Sequence, residues 1–201
     1  IIGYIGPREV IPILMEGLNR LEYRGYDSSG VAIRNGGIEV HKSIGKVAEL
    51  AAILPKNVSG NIGIAHTRWA THGGVTDANA PPHCSEDGRI ALVHNGIIEN
   101  SAELSDRVTK LGYSISSETD TEVIVHLLDH ELKSQPEGHT ALDAFSNVIS
   151  KLKGSWALAV IVTGLEGILV SRNGAPLVIG RGLDNISVAS DVQPFYGACS
   201  E

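Results

Sequence analysis

Hydrophobic and polar residues follow two rhythms along this chain, and each predicts a kind of element. Val10, Leu14, Leu18 and Leu21 recur at the spacing of one helix face. Pro7 is expected to open that helix, since a missing N–H costs nothing in a first turn, and Gly25 to stop it. Asn100 with Glu103, and Thr119 with Glu122, have the spacing of a capping box, in which acceptor and acid each satisfy a free backbone N–H. They precede Leu104, Val108 and Leu111 (closed by Gly112) and then Ile124, Leu127 and Leu128. Thr140 opens a third such helix with Ala141, Phe145, Val148 and Leu152, and Gly154 is expected to end it.

The second rhythm is that of short strands. Val31 to Arg34 and Ile38 to His41 flank Asn35-Gly36-Gly37, a hairpin signal because Asn and Gly tolerate positive φ. Ile62 to His66 and Arg89 to His94 read as strands, as do Trp156 to Thr163, Gly167 to Ser171, Leu177 to Ile179 and Ile186 to Ala189. Turns at Asn173-Gly174 and Asp184-Asn185 separate the later ones. Strands joined by short turns predict antiparallel sheets, and grouped helices predict layers on their faces, so the class is α+β. A loop of about twenty residues rich in Gly, Pro, His and Asn separates the strands ending at His66 and starting at Arg89, and loops that long inside a compact domain usually carry function.

Composition narrows the picture. With 201 residues, 42% hydrophobic and 19% charged, the chain is globular and long enough for a sizeable core. A net charge of -7 argues against nucleic-acid binding, because no basic stripe is present to displace counterions. No apolar run is long enough for a membrane span, and the opening Ile1 to Gly6 lacks the basic flank of a signal peptide. Two cysteines, Cys84 and Cys199, give no disulfide framework, so a reducing cytoplasm is expected. His126 and His130 stand at i and i+4 as metalloprotease ligands do, but Leu127 replaces the required Glu; a solvated helix face is expected there, and neither metal nor cofactor.

Four blocks carry the chemistry: Leu21-Glu22-Tyr23-Arg24-Gly25-Tyr26-Asp27-Ser28-Ser29-Gly30, His66-Thr67-Arg68-Trp69-Ala70-Thr71-His72-Gly73, Val93-His94-Asn95-Gly96-Ile97-Ile98-Glu99-Asn100, and Ser117-Glu118-Thr119-Asp120-Thr121-Glu122. Together and in this order they resemble the glutaminase domain of glutamine–fructose-6-phosphate aminotransferases, also called glucosamine-6-phosphate synthases, over nearly the whole chain up to Phe195. The resemblance implies an N-terminal-nucleophile hydrolase fold, a four-layer αββα sandwich of two antiparallel sheets. It implies that glutamine is hydrolysed to glutamate and ammonia, and that a separate sugar isomerase domain, absent here, passes the ammonia to fructose 6-phosphate. The full-length protein is then expected to be a homodimer.

The resemblance also distributes roles. Asn95 offers a side-chain NH₂ and Gly96 a backbone N–H, together an oxyanion hole. Arg68 suits the glutamine α-carboxylate and Asp120 its ammonium group, with Thr71 and His72 adding hydrogen bonds. Arg24 is expected beside the nucleophile, and Trp69 near the ammonia exit. Family members begin Cys-Gly ahead of the Ile-Ile-Gly found here; that cysteine attacks the amide, with its own α-amine as base. Neither Cys84 nor Cys199 substitutes for it, so without those two residues the chain is expected to be inert as a glutaminase. Residues 1–195 are read as the glutaminase domain and 196–201 as a tail beyond the resemblance. Three alternatives differ in kind: a related amidotransferase acting with phosphoribosyl diphosphate, a module that binds glutamine or glutamate without turnover, and a serine protease, disfavoured because no Gly-Asp-Ser-Gly block is present.

Overall fold

The computed structural model describes residues 1–70 and 73–195. Two antiparallel sheets stack face to face. The first contains β1 (Ile2–Ile5), β2 (Ser28–Asn35), β3 (Gly37–Ile44), β4 (Ile62–Arg68), β9 (Val178–Arg181) and β10 (Ile186–Ala189), in the order β3-β2-β4-β1-β10-β9. The second contains β5 (His83–Cys84), β6 (Ile90–Ile98), β7 (Gly154–Val162) and β8 (Leu169–Asn173), in the order β5-β6-β7-β8.

Three apolar layers hold these sheets. α1 (Val10–Leu21) and α2 (Val47–Ile53) cover the outer face of the first sheet, where Val10, Leu14, Leu18, Leu21 and Leu50 pack on Tyr4, Val31 and Ile33. α3 (Ser101–Lys110), α4 (Asp120–Ser134) and α5 (Ala141–Ile149) cover the outer face of the second, around Leu92, Leu158 and Val160. Between the sheets, Ile62, Ile64, Ala91, Val93, Ala157 and Ala159 form the middle core, dominated by small and β-branched residues that let the sheets approach. The arrangement is the expected four-layer αββα sandwich.

Local physics revises several expectations. α1 starts at Val10, and the proline in its first turn is Pro12, whose missing N–H has no partner to lose there; Pro7 lies in the preceding bend. Asn100 and Thr119 stand at helix N-caps but make no capping bond. The Asn100 amide instead ties the start of α3 to the connection between α5 and β7, donating to Lys151 O at 3.0 Å and accepting from Lys153 N at 2.9 Å. Thr140 does form the full capping box with Asp143. Gly154 opens β7, whereas α5 stops earlier at Ile149. The reading of His126 on a solvated face was wrong: it is 2% exposed, because α4 is buried on every side from Thr121 to Asp129, wedged between sheet and neighbouring helices. Among the described residues no cluster of three or more His, Cys, Asp or Glu is placed to hold a metal, and no helix is long and apolar enough to cross a membrane.

Glu122 also abandons its capping role. Its carboxylate accepts from Ser116 N, from Ser116 Oγ at 2.7 Å and from Ser117 N at 2.6 Å, pinning the segment that leads into Asp120. Burial alone would push this carboxyl up, but those hydrogen bonds outweigh it and bring it down to about 2. A carboxyl depressed on folding stabilises above its unfolded value and loses that contribution as pH falls through the folded one. Glu122→Gln should therefore cost about 2 kcal/mol at pH 7. In urea titrations the deficit should shrink at pH 3, where the wild type is losing the same contribution; an equal deficit at both pH values would contradict this account.

Candidate active site

A cleft of about 460 Å³ opens at the C-terminal ends of β4 and β6, lined by Ile1, Arg24, His66, Arg68, Trp69, Asn95, Gly96, Thr119 and Asp120 among others. The strands place these residues by alternation. Ile64 faces the middle core, so His66 and Arg68, two and four positions on, continue along that inner face. Val93 does the same for Asn95 on the facing strand. The core thus gives way to polar groups at one end of the sandwich, and the two sheets present them to each other.

The four sequence blocks converge here. β6 runs on to Ile98, so Asn95 and Gly96 lie within the strand, paired with Ala157 and Trp156 of β7. Asn95 Oδ1 lies 2.8 Å from His66 Nε2. Gly96 has φ +123, and a Cβ there would lie 2.1 Å from Ser155 O. The glycine is required by the close approach of β7.

Asp120 starts α4, and its Oδ2 accepts the backbone N–H of Ile98 at 2.8 Å, fastening the helix to the end of β6. His94, on the outer face of β6, reaches Thr121 Oγ1 at 3.1 Å and Asp120 Oδ1 at 3.5 Å. Arg68 donates to Gly74 O at 3.1 Å. Glu118 accepts from Gly74 N at 2.9 Å and from Asn79 Nδ2 at 3.0 Å, so the stretch after Arg68 is tied to the loop before α4. Trp69 is 56% exposed at the rim, with its ring 5.8 Å from that of Tyr26. Asp27 Oδ2 holds the neighbouring Ala70 N–H at 2.8 Å. Thr71 and His72 lie outside the described residues.

Arg24 joins the site through the chain's far end. Its Nη1 donates to Ser190 O at 2.8 Å, while Ser190 Oγ lies 2.9 Å from the Ile1 nitrogen. Asp191 accepts from Tyr23 Oη at 2.6 Å and steadies the same corner. Ser190 and Asp191 carried no sequence signal, because only the pairing of β1 with β10 brings them to the start of the chain. His66, His83 and His94 likewise carry no individual signal in the sequence. His83 sits beside Thr119, with Nε2 at 3.1 Å from Thr119 Oγ1; burial, with Lys42 nearby, lowers its pKa to about 4, so the ring is neutral at pH 7. Cys84, paired with Ala91 in β5, has its thiol pushed up by burial, partly offset by Lys42, which suits an inert thiol.

Residues 66–197 match a family described as a glutamine amidotransferase domain. The chain is 50% identical over 194 residues to a glutamine–fructose-6-phosphate aminotransferase (isomerizing) of Acinetobacter baylyi, covering 95% of this chain and 31% of that protein. It is 46% identical over 202 residues to the same-named protein of Methanosarcina mazei, covering 97% and 33%. The chain therefore spans about a third of the length of these curated relatives. Among solved structures, a glutamine phosphoribosylpyrophosphate amidotransferase from B. subtilis in complex with ADP and GMP superposes with a TM-score of 0.82 at 28% identity, over 97% of this chain and 42% of that one.

Proposed function

The chain belongs to the glutamine amidotransferase domain family, and from that premise we propose that this cleft hydrolyses L-glutamine within a longer protein that uses the ammonia to aminate fructose 6-phosphate. The observation that carries the reading is the convergence of Ile1, Asn95, Gly96, Arg68 and Asp120 on one cleft. Identities of 50% and 46% to fructose-6-phosphate aminotransferases, against 28% to the phosphoribosyl-pyrophosphate enzyme, favour the hexosamine acceptor.

Ile1 lines the cleft, and the cysteine expected two residues ahead of it supplies the thiolate that works before Asn95 and Gly96. The sulfur adds to the side-chain amide carbon of glutamine, and the carbonyl electrons move onto oxygen. Asn95 Nδ2–H and the Gly96 N–H stabilise that oxyanion. The cysteine's α-amine takes the thiol proton and passes it to the departing nitrogen, releasing ammonia. Water then cleaves the thioester to glutamate. Arg68 holds the α-carboxylate and Asp120 the α-ammonium of the substrate, while Arg24 steadies the corner carrying the nucleophile. Trp69 stands at the rim on the side where ammonia leaves, and Thr71 and His72 complete the head-group contacts. No step calls for a cofactor. Residues 1–195 act as the glutaminase domain, the sugar isomerase domain is its partner, and the setting is a dimer in the cytoplasm.

Ammonia release from glutamine by protein carrying Cys-Gly ahead of Ile1, and its loss when that cysteine becomes alanine, is the deciding assay. Retained binding of glutamate without turnover in the cysteine-bearing protein would favour the binding-only alternative. Arg68→Ala should raise the glutamine KM by roughly 100-fold, the scale of a charge-assisted pair, with kcat far less affected. Asp120 is better tested as Asp120→Asn, because alanine would also strand the Ile98 N–H. An unchanged KM in either variant would remove that residue from the head-group site.

A further inference from the structure

The contact between His66 and Asn95 crosses from one sheet to the other at the mouth of the middle core. His66 is 6% exposed, and its Nε2 lies 2.8 Å from Asn95 Oδ1. An asparagine amide has an acceptor end and a donor end. Asn95 lines the cleft, so the end not engaged by His66 is the one the cleft receives.

A neutral imidazole carries one N–H. With the proton on Nε2, it donates to Asn95 Oδ1 and the Asn95 NH₂ is left for the cleft. Nδ1 of His66 is then a bare lone pair; it is buried and has no hydrogen-bond partner among the described residues. With the proton on Nδ1 and the amide turned over, that buried Nδ1–H would have no acceptor, and the Asn95 oxygen would face the cleft. Buried N–H groups without partners are rarer than unsatisfied acceptors, so the first arrangement is favoured. Burial also holds the His66 pKa well below its ordinary value, against the opposing pull of the Asn95 hydrogen bond, so the ring carries a single proton at pH 7.

We propose that His66 is a positioning residue for glutamine hydrolysis: its Nε2–H fixes the Asn95 amide with the NH₂ end turned toward the oxyanion. The inference rests on the glutaminase reading and adds a residue that acts through Asn95.

A double-mutant cycle in the full-length protein tests it. His66→Leu should lower kcat for glutamine hydrolysis roughly 10- to 100-fold, a fraction of the effect of deleting an oxyanion donor. The glutamine KM and the Kd for glutamate should stay within about twofold, because ground-state contacts are untouched. In an Asn95→Ala background the same change should cost almost nothing further. His66→Asn, polar but too short to reach Asn95, runs the same cycle should the leucine variant not fold, and His66→Gln, which regains a donor, should recover part of the rate. Additive losses in the double mutant, or a loss residing in KM, would overturn the proposal. Wild-type protein that releases no ammonia would overturn the glutaminase reading instead, and the role of His66 with it.

Discussion

Asn95→Asp is expected to reduce kcat for glutamine hydrolysis by roughly 10²- to 10³-fold and to leave KM nearly unchanged. The substitution changes almost no volume. His66 Nε2, 2.8 Å from Oδ1 in the native protein, keeps an acceptor, so the bridge between the sheets persists. What changes is the end facing the cleft, where a donor becomes an anionic oxygen just where negative charge must develop. Because the oxyanion exists only in the transition state, the penalty falls on kcat and spares substrate affinity. Asn95→Ala should behave similarly while also freeing His66. Steady-state kinetics of ammonia release checks both, and a kcat within about threefold of wild type would remove Asn95 from the oxyanion hole.

Gly96→Ala is the second large effect, and it acts on fold and rate together. The new Cβ would lie 2.1 Å from Ser155 O on β7, at a φ of +123 that side chains rarely adopt. Backbone strain and overpacking each cost on the order of 1–3 kcal/mol, so the expected loss of stability is about 3 kcal/mol. Relief requires the end of β6 to move away from β7, carrying both proposed oxyanion donors with it. Denaturant titration should therefore show the destabilisation, and the protein that remains folded should still turn over slowly. A variant with wild-type stability would mean that β6 and β7 are less closely paired than Gly96 opposite Trp156 implies.

Much of this architecture was legible in the residues, and the exceptions share a cause. The α1 stripe, the β2–β3 hairpin and the Thr140 cap depend on neighbours within a few positions, and they appear as expected. Elements set by distant partners did not announce themselves. β1 is four residues long and central, buried between β4 and β10, so it shows no alternation to read. α2 is seven residues long with no side-chain cap. Asn100 and Glu122 carry capping-box chemistry, but distant Lys151 and Lys153 take the Asn100 amide, and the backbone of Ser116 and Ser117 just ahead of the helix takes the Glu122 carboxylate. In the site, family-type blocks located Asn95, Gly96, Arg68 and Asp120, whereas Ser190 and the tie from His66 to Asn95 exist only once the two sheets are stacked.

The pairing of β1 with β10 has a further consequence for how the protein comes into being. Ile2 lies opposite Ala189, so the centre of the six-stranded sheet cannot close until nearly the whole domain has been synthesised. Contacts this remote in sequence carry a loop-closure cost that local contacts do not, and they slow folding. Arg24 reaches the cleft through Ser190, which lies immediately beyond that last strand. The helices and the β2–β3 hairpin can form early on the ribosome, but the corner beside Ile1 is assembled last. A nascent chain therefore lacks this corner of the cleft until β10 is in place.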